Sequence, residues 1–72
     1  MSMLAQRLQA AHASGNISAC VALYQEASAR APSEDERAFL LTQAHVFALE
    51  IAHPDTAKLR AELVRMGREQ PL

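Results

Sequence analysis

From Ala38 to Ala52, eleven of fifteen residues are apolar. No other stretch constrains the fold as much. Phe39, Leu40, Leu41, Val46, Phe47, Leu49 and Ile51 fall at angles all round a helix of period 3.6. Such a helix must be covered on more than one side. Lipid is not the cover to expect. At about 1.5 Å per residue the run reaches roughly 22 Å, short of a ~30 Å hydrocarbon core. Thr42, Gln43, His45 and Glu50 also interrupt it. The first sixteen residues, MSMLAQRLQAAHASGN, lack the basic start and unbroken apolar core of a signal peptide. The expectation is a cytoplasmic protein without a membrane partner, its one cysteine, Cys20, reduced.

Seventy-two residues allow one domain, taken here as 1–72. Half the residues are hydrophobic and the net charge is −1, which excludes a disordered tail. One cysteine excludes a disulfide framework. A net negative charge argues against a nucleic-acid partner.

Period-two alternation is missing, and good helix formers dominate. Ser2 to Ser14 carries Leu4, Leu8 and Ala11 on one stripe, and Gly15-Asn16 breaks it. Asn16 can cap a second helix, Ile17 to Ala31, whose stripe is Cys20, Val21, Tyr24 and Ala27, with Pro32 as its stop. Ser33-Glu34-Asp35-Glu36 reads as a capping box with carboxylates at the positive end of a third helix, which should reach about Ala52. Pro54 suits the first position of a fourth helix, with Leu59, Leu63 and Met66 on its stripe. Lys58 with Glu62, and Arg65 with Glu69, are expected ion pairs on its wet side. Short breaks force antiparallel neighbours. The fold class is therefore all-α: four antiparallel helices as two hairpins, 2–31 and 33–69, stacked in series or closed into a compact four-helix bundle.

Gly15, Cys20, Tyr24, Ala27 and Pro32 resemble the second half of a tetratricopeptide repeat, with Cys20 as the small residue and Tyr24 as the aromatic. The first helix departs from that family, with Leu4, Arg7, Leu8 and Ala11 in place of its Trp, Leu, Gly and Tyr. A fainter copy lies 37 residues on, where Leu41, Ala44, His45, Ala48, Ala57 and Val64 take corresponding places and Ala52 replaces the turn glycine. The resemblance implies a concave face built from the first helix of each hairpin. Its partner-binding positions are Gln6, Gln9 and His12, beside Ala5, and then Phe39, Thr42, Gln43, Val46, Leu49 and Glu50. Those positions lack the cations with which the family clamps a C-terminal carboxylate.

Chemistry at a centre finds little support. His45 and His53 stand about 12 Å apart along a helix and cannot share an ion. His12 and Cys20 across one turn are too few ligands for zinc and lack a third orienting group for nucleophilic catalysis. Lys58, Arg60, Arg65 and Arg68 are offset by Asp55, Glu62 and Glu69, so the last segment nets only +1. No catalytic, cofactor or metal site is expected. The chain reads as a non-enzymatic protein–protein interaction module (an adaptor, accessory subunit or small regulator) that docks a partner in an apolar groove. The alternative is a four-helix bundle that dimerises through its third helix.

Overall fold

A computed structural model describes residues 3–68. They form four helices and, among the described residues, no strand: α1 (Met3–Ser14), α2 (Ile17–Ala29), α3 (Glu34–Glu50) and α4 (Thr56–Arg65). Ser2 and Glu69, the outer bounds expected for the hairpins, lie outside that range.

Local chemistry sets most boundaries. The Asn16 Oδ1 accepts the Ala19 amide at 3.1 Å and opens α2. The Ser33 Oγ accepts the Glu36 amide at 3.1 Å and opens α3, with three carboxylates in its first turn. α1 ends where Gly15, at φ +69°, donates to the His12 carbonyl and Asn16 donates to the Ala11 carbonyl. This paired closure satisfies two orphan carbonyls and needs a left-handed residue. α3 ends in the same way 37 residues later: His53 donates to Ala48, Ala52 to Leu49, and Ala52 takes φ +50°. Gly67 closes α4 by the same pair of bonds, to Val64 and, through Arg68, to Leu63.

Three expected boundaries shift. α2 stops at Ala29, because the Arg30 amide already closes on Ala27 and the Ala31 amide on Ser28. α3 stops at Glu50 rather than Ala52, since the left-handed Ala52 cannot continue it. α4 begins at Thr56, two residues after Pro54, which lies in the turn instead of in the first helical position. There the His53 carbonyl accepts both the Thr56 amide and the Thr56 hydroxyl, and its Nδ1 accepts the Asp55 amide at 3.0 Å.

The helices pack in chain order. α2 and α3 form the most extensive pair, α1 lies on α2, and α4 lies on α3. The molecule is a slab of 34 × 29 × 12 Å. Its helices are antiparallel: Arg7 near the start of α1 pairs with Glu26 near the end of α2 at 3.2 Å, and Arg68 just past α4 pairs with Asp35 at the start of α3. One core cluster joins Val21, Leu41, Ala44, Ala48, Leu59 and Leu63. A second joins Ala11, Cys20 and Leu23. Five of these nine are Ala, Val or Cys, so the core depends on close helix approach more than on bulk.

Candidate docking face on the third helix

Among the described residues, α3 has α2 and α4 on its flanks and no helix over its outward side. Turning 100° per residue, Leu41, Ala44 and Ala48 point inward and are buried. Phe39, Val46 and Leu49 point the other way and remain 61%, 46% and 59% exposed. Thr42 and Glu50 share that outward side and are exposed, and Gln43 at its edge is half-buried. The four-helix arrangement therefore leaves part of the apolar excess of α3 in water. Covering it would require a further helix, because α2 and α4 are the helices that pack along α3.

On α1, Gln6, Gln9 and His12 are all exposed, as is Ala5. Only His12 reaches α3. Its ring meets Phe47 edge-on, with centroids 5.5 Å apart. Its Nε2 lies 3.1 Å from the Tyr24 hydroxyl. Tyr24 in turn stacks on Phe47, so three rings from three helices make one junction. Sequence periodicity places Tyr24 and Phe47 on apolar stripes but does not bring them together. The contact arises from how α1 and α3 both lean on α2. His12 is accordingly tied into the junction and is not a loose side chain on a rim.

The remaining polar groups sit elsewhere. Cys20 is wholly buried between Ala11 and Leu23, and burial pushes its thiol up from the ordinary range. His12 points to Tyr24, so no pairing of His12 with Cys20 forms. His45 and His53 both line a cleft between α3 and α4 of about 720 Å³, with Leu49, Thr56, Ala57 and Arg60. The His45 Nε2 is buried there without a hydrogen-bond partner. Among the described residues no three histidine, cysteine or carboxylate side chains gather as a metal site. The expected Lys58–Glu62 pair is replaced: Lys58 turns back to Asp55 at 3.7 Å, and Glu62 takes Arg65. Asp55 is already anchored at the helix start, one turn before Lys58, and that geometry wins over the i, i+4 partner. The expected partner of Arg65, Glu69, lies outside the described residues. Asp55 also accepts Gln25 Nε2 at 3.0 Å. That bond from Gln25, helped by the charge of Lys58, holds the Asp55 carboxyl below the usual carboxylate range.

No helix among the described residues is long and apolar enough to cross a membrane. Comparison with protein-family models, with curated proteins and with solved structures gave no match.

Proposed function

We propose that the chain is a non-enzymatic protein–protein interaction module, acting in the cytoplasm as an adaptor, accessory subunit or small regulator. It docks its partner on the outward face of α3, flanked by the exposed side chains of α1. The observation that carries this reading is the uncovered row of Phe39, Val46 and Leu49. Removing the exposed part of each from water contributes about 1 kcal/mol. For so small a chain that sum is a large fraction of its own stability. The tetratricopeptide resemblance belongs to the same reading. It rests on the sequence positions quoted above; the matching closures at Gly15 and Ala52 are compatible with it but are shared by Gly67.

The test uses the Val46→Asp and Leu49→Asp variants. Both should keep the helical circular-dichroism spectrum and lose the partner that the native chain captures from its host. If both variants unfold, the side chains are core and the face is not a docking surface. If they capture the same proteins as the native chain, the partner sits elsewhere.

A further inference from the structure

The outward face of α3 has heptad order. Phe39 and Val46 are seven residues apart, as are Thr42 and Leu49, so they repeat as the a and d positions of a coiled-coil seam. The same count sets Glu36, Gln43 and Glu50 in one flanking row, at e. Glu36 and Glu50 are exposed, and neither carboxylate has a hydrogen bond or ion pair among the described residues. The cations outside α3 are committed. Arg7 is held by Glu26, Arg68 by Asp35, Lys58 by Asp55 and Arg65 by Glu62. Arg60 is partnered as well. Arg37, the one Lys or Arg of α3, is exposed and lines a cleft on the inward side, away from the seam, with Leu41 and Leu59. Uncompensated charge on the seam is therefore negative.

We infer that the occupant of this face is an amphipathic helix of another protein whose apolar stripe is flanked by lysine or arginine. The inference rests on the docking reading above and names the chemistry of the partner. A second copy of the chain fits badly. In an antiparallel pair the e row faces the e row, which sets Glu36 against the second copy's Glu50, and Glu50 against its Glu36. The two like-charge contacts are about 21 Å apart along the helix and form together. In a parallel pair e faces g, and the g positions here, Ala38 and His45, are buried within the chain. A basic helix turns both repulsions into ion pairs, and flanking charges of this kind set partner choice in coiled coils.

The experiment uses two labelled three-heptad peptides. Both carry Leu at a and d; one has Lys and the other Glu at every e and g position, so neither pairs with itself. Each is titrated with the full chain and followed by fluorescence anisotropy. The Lys peptide should bind about tenfold more tightly than the Glu peptide at low salt. The difference should shrink towards about 1 M salt. The double variant Glu36→Lys with Glu50→Lys, altered only at exposed positions, should reverse the order. Equal binding of both peptides, unmoved by the double variant, overturns the charge inference and leaves the docking face standing. Failure of both peptides to bind overturns the docking face itself. Sedimentation as a dimer that Val46→Asp dissociates makes a second copy the occupant and overturns the inference.

Discussion

The ring of Tyr24 on α2 lies flat on the ring of Phe47 on α3, with centroids 5.7 Å apart and planes 17° from parallel. Both rings pack against both core clusters, so this pair is where the α1–α2 half of the slab meets the α3–α4 half. His12 adds a third ring at the edge.

Phe47→Ala should therefore destabilise the chain by about 2–3 kcal/mol, somewhat less than truncation of a wholly buried Phe. Phe39→Ala, on the same helix but on the open face, should cost no more than about 0.5 kcal/mol. Urea unfolding of both variants, read by circular dichroism, makes the comparison. Equal losses would mean that the junction holds nothing together, or that Phe39 is not free on the surface.

Ala52 does what Gly15 and Gly67 do elsewhere, closing a helix at positive φ, but with a Cβ. An L-residue in that region is strained by about 1–2 kcal/mol relative to glycine. Ala52→Gly should thus raise stability by about 1 kcal/mol, and Gly15→Ala should lower it by a similar amount. Nothing lies within 4 Å of a Cβ built on Gly15, so the loss there would come from the backbone alone. For a domain of this size the shift corresponds to roughly 4–8 °C in melting temperature. A drop in melting temperature for Ala52→Gly would show that the turn is not held left-handed in solution.

The helices themselves are legible in the sequence because their signals are local. Asn16 and Ser33 cap as their side chains allow, and the apolar stripes fall where a 3.6-residue period puts them. The end of α3 is harder to read, since alanine carries no mark of positive φ and only the turn bonds reveal it. The start of α4 misleads for a related reason: Pro54 is as compatible with a turn as with a first helical residue, and the bonds of His53 decide. Excess apolar surface on α3 is visible in its composition. Which side stays uncovered depends on where α2 and α4 settle, and the row of Glu36, Gln43 and Glu50, acidic at both ends, acquires meaning only once that side is known. The three-ring junction is tertiary from the outset, with His12 and Phe47 brought together across α2.

Asp55 ties the α3–α4 turn to α2 through Gln25, and its carboxyl is held below the ordinary range chiefly by that bond. A carboxyl with a lowered folded-state pKa favours folding while ionised. Its contribution is fully present above the unfolded-state value of about 4. It is lost as pH falls through the lower folded-state value. Stability should therefore decline on acidification below about pH 4 in part through this group. In Gln25→Ala the Asp55 carboxyl should titrate closer to its ordinary value, measured by carbon-detected NMR of the side chain. An unchanged titration would mean that the Gln25 bond does not persist in solution.

His45 gives the sharpest contrast between polarity and surroundings. Its ring is buried in α3 beside α4, and its Nε2 has no hydrogen-bond partner. Leaving a buried polar atom unsatisfied costs about 1–3 kcal/mol, whereas an apolar side chain of similar shape carries no such penalty. His45→Leu should accordingly leave the fold intact and raise stability by about 1 kcal/mol. Leu49, one turn along α3, and Ala57, across the cleft on α4, give the branched side chain apolar neighbours. Chemical denaturation at neutral pH decides it. A loss greater than about 1 kcal/mol would show that the ring nitrogen is hydrogen-bonded in solution, and the orphaned-atom argument would fall.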